Sequence, residues 1–200
     1  MSLSIQQATD ALRDVARAQR RAAILQGYEH GAPHFLLWGT IWLVGFAGTD
    51  LFPAHAGPLW LVLDVLGIGG GFLIVRAAAH AAASASASAS AYASAYGATT
   101  RQVGWRYGAM GLTFLAFIVA TYYVMGAHTV AQFGAFPALL LSLLYTLAGI
   151  WRGARWAVVG ISVFTLTVVG YVLLGTHFML WMSVCGGGSL LLTGIWMRRA

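Results

Sequence analysis

The stretch RWAVVGISVFTLTVVGYVLLG, residues 155–175, opens on an arginine and then runs to a glycine without another charged side chain. At 1.5 Å of rise per helical residue, about 20 residues cross a hydrocarbon core roughly 30 Å thick. Arg155–Gly175 therefore reads as a transmembrane helix with its arginine at one water interface. Five more stretches of similar length and composition can be drawn, so the six expected spans lie near Pro33–Phe52, Gly57–Val75, Gly104–Met125, Ala131–Trp151, Arg155–Gly175 and Phe178–Met197.

All 11 basic side chains are arginines, and their positions orient the spans. Arg13, Arg17, Arg20 and Arg21 precede the first span; Arg76, Arg101 and Arg106 lie between the second and third; Arg152 and Arg155 lie between the fourth and fifth; Arg198 and Arg199 follow the sixth. None falls in the three alternate loops. The positive-inside bias then puts both termini in the cytoplasm, as in a multi-pass protein of a bacterial-type inner membrane. A soluble helical domain with 60% hydrophobic and only 8% charged residues could not clothe its surface. The formal charge of +6 is dispersed over four cytoplasmic segments rather than gathered on one face, so it reads as a topology signal and no nucleic-acid partner is expected.

The expected fold class is thus an all-α integral membrane protein, six transmembrane helices arranged as three helical hairpins behind an N-terminal cytoplasmic helix. Residues 1–27 form the amphipathic cytoplasmic helix, 28–76 the first hairpin, 77–103 an Ala/Ser-rich cytoplasmic linker, 104–152 the second hairpin and 153–200 the third. Met1 to Gln26 is polar and Arg-rich, with no short apolar run before a cleavage site, so no cleaved signal peptide is expected. Ser4 and Gln7 have capping-box spacing, and Asp10 with Arg13 and Asp14 with Arg17 are spaced to pair on a helix. Ile5, Ala8, Leu12, Val15 and Ala22 share a thin apolar stripe, suited to the anionic inner leaflet, to docking on the chain itself, or to a protein partner. In the linker, Ser84 to Ser90 alternates Ser and Ala before Tyr92 and Tyr96, a composition that forms no core and continues the second span as a frayed helix or a linker.

An ungapped alignment sets Arg106–His128 on Arg155–His177. It pairs Gly111 with Gly160, Val119 with Val168, Tyr122 with Tyr171, Gly126 with Gly175 and His128 with His177. Gly48-Thr49-Asp50 at the end of the first span resembles Gly175-Thr176-His177 at the end of the fifth. An internal repeat of parallel hairpins, related by an axis along the membrane normal, is the simplest architecture. Lipid supplies little hydrophobic drive between helices, so small residues must let backbones approach. The 25 glycines serve that need, notably Gly67 to Gly71, Gly104 with Gly108, and Gly186 to Gly188. A glycine triplet can also loosen a helix beside a binding site. Homo-oligomerisation through exposed glycine faces is a further expectation.

Few residues could carry chemistry. Asp64 is the single acidic residue well inside a span, where an uncompensated carboxylate is costly, so it is the candidate ion or proton site. Asp50, His55, His128 and His177 would form a candidate metal site if the outer turns converge, since two imidazoles and a carboxylate suit zinc, iron or manganese. Polar residues that answer helix-end carbonyls would occupy the same positions. No cofactor is expected, a divalent metal being the one the residues could take. The lone Cys185 excludes an intrachain disulfide and reads as an apolar packing residue. His34 opens the first span beside Glu29 and His30 as an ordinary interface residue. No phosphate-cradling loop, nucleophile elbow, paired catalytic aspartates or His-Glu zinc helix is present, so no enzyme is expected. The leading expectation is a non-enzymatic sensor, regulatory or accessory subunit whose amino-terminal helix meets a cytoplasmic protein. The alternatives are a small proton- or cation-coupled carrier or channel using Asp64 and the outer His/Asp residues, and a membrane metalloprotein.

Overall fold

The computed structural model describes residues 5–86, 109, 111–126 and 129–199, among which there is no strand. The helices are α1 (Ile5–Leu51), α2 (Ala56–Ser86), α3 (Gly111–Met125), α4 (Val130–Arg152) and α5 (Ala154–Leu174). Then α6 (Phe178–Trp181), a π-helical segment (Met182–Gly187) and α7 (Gly188–Arg198) follow one another with right-handed helical dihedrals at each junction, forming a single rod. Short 3₁₀ turns, Pro53–His55 and Gly175–His177, precede α2 and α6.

Three helical stretches are long and apolar enough to cross a membrane: Pro53–Ala81, Val130–Arg152 and Ala154–Arg198. The last of these folds back on itself at Gly175, whose φ of +47° is a turn geometry open to glycine. Close to that turn, Trp181 packs on Gly170 and its Nε1 donates to the Leu166 carbonyl at 2.8 Å. At the far ends of the same two rods, Arg155 donates to the Trp196 carbonyl at 3.0 Å. The rods therefore run antiparallel. Gly153, with φ +105°, makes the corresponding turn between α4 and α5.

Helix α1 lies at the centre. Tyr28, Ala32, Phe35, Ile41, Trp42 and Phe46 are all buried, whereas α2 leaves Leu61, Val62, Val65 and Leu66 exposed. This accounts for the composition of α1, whose His34, Thr40, Thr49 and Asp50 dilute its apolar half. A helix surrounded by other helices is not required to match lipid all round. Phe35 stacks obliquely on Tyr145 of α4 and Trp156 of α5, both with centroids 5.1 Å away. Trp60 of α2 donates to the Thr49 hydroxyl at 2.8 Å. Helix α3 packs on α4 through Tyr122 and Phe133, 4.6 Å apart, and Phe117 and Phe136, 6.4 Å apart.

One element boundary differs from the sequence reading, and one of its two alternatives for the start of the linker is met. The chain is one helix from Ile5 to Leu51, about 70 Å at the standard rise, with Pro33 inside it and no break at residue 27. Proline removes one backbone donor, but Ala32 and Phe35 on either side are fully packed, and these contacts hold the helix across the gap. Helix α2 likewise runs on to Ser86, so the first Ala/Ser residues continue the second span. The rest of the linker, with Tyr92, Tyr96, Arg101 and Arg106, lies outside the described residues.

A close backbone contact joins α1 to the rod. A Cβ on Gly39 would sit 2.9 Å from the Leu191 amide nitrogen, and one on Gly187 would sit 2.8 Å from the Leu43 nitrogen. Ser183, inside the π segment, donates to the Leu43 carbonyl at 2.7 Å and ties the two backbones together. Gly188 meets nothing within 4 Å. Neighbouring glycines are thus expected to behave oppositely. Gly187→Leu should destabilise by about 1–3 kcal/mol through overpacking, while Gly188→Ala should stabilise by up to about 1 kcal/mol through helix propensity. Denaturant titration in mixed micelles followed by circular dichroism measures both.

Candidate functional site

At the arginine-free end of the bundle, the ends of four helices surround a cavity of about 310 Å³. Thr49, Asp50 and Pro53 come from the end of α1 and the turn after it, Val130 and Ala131 from the first turn of α4, Gly175 and Thr176 from the turn after α5, and Phe178 and Met179 from α6. Each wall has a local cause. Thr49 is held by two hydrogen bonds, donating to the Gly45 carbonyl at 2.7 Å and accepting from Trp60 at 2.8 Å. The start of α4 is set by a capping box, in which Thr129 accepts from the Gln132 amide and the Gln132 side chain accepts from the Thr129 amide. Phe178 is buried and packs edge-on against Tyr171, with centroids 5.7 Å apart.

Among the described residues, Asp50 is the one ionisable side chain lining the cavity, and no hydrogen bond or ion pair engages its carboxylate. The last turns of α1 and α5, both ending here, carry no basic residue. The C-termini of α1 and α5 present partial negative charge to the chamber, while the N-termini of α4 and α6 present partial positive charge, so the helix dipoles largely offset one another. The result is a small, partly apolar chamber with one carboxylate in its wall.

Three of the four sequence-predicted metal residues are among the described residues. Asp50 lines the cavity, His55 and His177 are exposed, and His128 lies outside the described residues. Among the described residues, no three His, Cys, Asp or Glu side chains gather where they could share a metal ion. What does converge is the last turn of α1 and the 3₁₀ turn after α5: Thr49 and Asp50 of the one and Gly175 and Thr176 of the other line one chamber, and they belong to the two segments that resemble each other in sequence. Asp64 sits apart, half-buried on α2, with no hydrogen bond among the described residues. It lies within Coulombic reach of Tyr122 on α3, whose hydroxyl donates to the Phe133 carbonyl of α4. His34 engages the backbone at His30 and at Gly71 of α2, a helix-joining role rather than a titrating cluster with exposed Glu29 and His30.

A second constellation occupies the arginine-rich end. The Arg155 guanidinium lies between two rings, 5.1 Å from the Tyr28 centroid and 4.6 Å from that of Trp196. The Tyr28 hydroxyl lies against Gly153 and accepts from the Arg155 amide at 3.5 Å. This clasp joins α1, α5 and α7 at the level where α1 leaves the bundle. Sequence reasoning assigned Arg155 to topology alone, because nothing local brings residues 28, 155 and 196 together. The cavity walls Thr176 and Phe178 were missed for the same reason, although the similarity of the two turns was a usable signal.

No protein-family model matches the chain, and neither a curated protein nor a solved structure matches it. The chemistry of the cavity and the clasp is therefore the basis for function. Arg155→Lys keeps the charge but loses the planar stack, so it should loosen the base of the arm. A spin label at Val15 is expected to gain mobility in the variant, with stability lowered by about 0.5–2 kcal/mol as for a partly buried cation–π pair.

Proposed function

We propose that this chain is a non-enzymatic sensor or regulatory subunit of a bacterial-type inner membrane, with a chamber facing outward and a helical arm facing the cytoplasm. In this reading the six apolar segments cross as three hairpins and both termini are cytoplasmic. The antiparallel contacts between α5 and the α6–α7 rod, and the clustering of Arg152, Arg155, Arg198 and Arg199 at the Tyr28 end, support that threading.

One observation carries the proposal: α1 is a single helix with the chamber at one end and the arm at the other. Asp50 and Thr49 in its last turn line the cavity, and its first half continues beyond the clasp at Tyr28. On that arm Leu12 is 71% and Val15 54% exposed, so among the described residues nothing covers this part of the apolar stripe. An exposed stripe on a rigid helix fits a protein partner, met as an amphipathic helix in a groove. A ligand that moves the Asp50 end shifts the arm only if it binds the two positions of α1 differently. The π segment packed against Leu43 is a natural place for such a two-position contact, since π turns mark local adjustability.

Transport through the bundle is the second reading, favoured by Asp64 beside Tyr122. A path needs polar groups free at successive depths. The buried hydroxyls of Thr49, Ser142, Thr167, Ser183 and Thr193 each donate to a backbone carbonyl instead, so they are already satisfied. Double electron–electron resonance between labels at Val15 and Arg198 distinguishes the readings. A distance distribution that shifts when an outer ligand is added, in chains carrying either Asp64 or Asp64→Asn, is the expected result. Proton or cation flux in liposomes that Asp64→Asn abolishes would establish the carrier instead.

A further inference from the structure

We propose that the chamber at the end of α1 binds a small organic cation, an alkylated ammonium, with Asp50 as its counter-ion. This deepens the sensor reading by naming the class of ligand, and the binding itself is tested without reference to the arm.

Charge comes first. Asp50 is a lone carboxylate without a protein partner among the described residues, at the C-terminal end of one helix and close to that of another. Among the described residues no basic side chain lines the chamber, so a cation from solution is the natural counter-charge. Size and lining then select among cations. A volume of about 310 Å³ holds on the order of ten waters at roughly 30 Å³ each, far more than a dehydrated metal ion occupies. A metal ion would also need several ligands at once, and the described residues gather no such set. The chamber offers one carboxylate, the Thr176 hydroxyl, and apolar walls from Pro53, Val130, Phe178 and Met179. That combination suits a cation whose charge is wrapped in methyl or methylene groups. Its alkyl surface leaves water against the apolar walls while its single charge meets the single carboxylate. Pre-organisation is built in, since Thr49 and Phe178 are both held by buried contacts.

Equilibrium dialysis of the full chain in zwitterionic nanodiscs against radiolabelled tetramethylammonium tests this directly. Saturable binding of one cation per chain is expected, displaced by unlabelled n-butylammonium but not by the neutral isostere tert-butanol. Asp50→Asn should weaken binding at least tenfold, Asp50→Glu should retain most of it, and Asp64→Asn should change it less than twofold. Absence of saturable binding, equal displacement by tert-butanol or by sodium, or dependence on Asp64 rather than Asp50 would each overturn the proposal. The wild-type displacement series decides even if the Asp50 variants fail to fold. Binding without any shift in the Val15–Arg198 distance would leave the organic-cation site standing and remove the sensor reading.

Discussion

Backbone against backbone at Gly39 and Gly187 is the contact from which the rest of the bundle is positioned. Between apolar helices in lipid, burying more hydrocarbon gains little, so association depends on van der Waals contact at short range and on hydrogen bonds that water does not contest. Two facing glycines supply the short range, and Ser183 donating to Leu43 supplies the hydrogen bond. The same arrangement is used between α4 and α5, where Gly149 faces the Ala157 backbone and Gly160 faces that of Ser142 and Thr146. Large side chains fill the remaining space, Trp38 over Gly67 and Trp181 over Gly170 among them. Small residue on one helix and indole on its neighbour is the repeated solution.

Because one face of α1 is buried by these contacts, its apolar surface is turned largely toward its neighbours rather than outward. Thr49 and Asp50 stand at one end of it, and the arginine-bearing arm at the other. The outer helices carry most of the exposed apolar surface. The buried hydroxyls between the two ends are tied to carbonyls of their own or a neighbouring helix. An element arranged in this way is suited to passing a displacement along its length better than to passing an ion across it.

The clasp at Arg155 gives the arginine pattern a second meaning. A guanidinium that sits at the arginine-rich end of a span also lies between Tyr28 and Trp196, fastening three helices where the arm departs. Lysine would serve topology equally well, but its compact ammonium does not stack as a plane between two rings. At this position, at least, the choice of arginine follows from packing.

Composition and period alone determined that the chain is helical and rich in membrane-length apolar stretches, since about 20 uncharged residues between arginines admit few other readings. They also identified the glycines as packing sites, because only close approach explains their number. What they could not assign was which glycine faces a neighbour. Gly187 meets a backbone and Gly188 meets open space, a distinction set by the register of the π turn and by where α1 lies. Asp50 was legible as a polar residue at a helix end, but its place in a chamber wall was not, because separate helix ends meet only as the packing of their helices dictates. Local sequence sets the character of each helix. Tertiary contacts decided that α1 is central and unbroken through Pro33, that two similar turns share one chamber, and that Arg155 is a clasp, since each depends on residues more than 100 positions apart being brought within van der Waals reach.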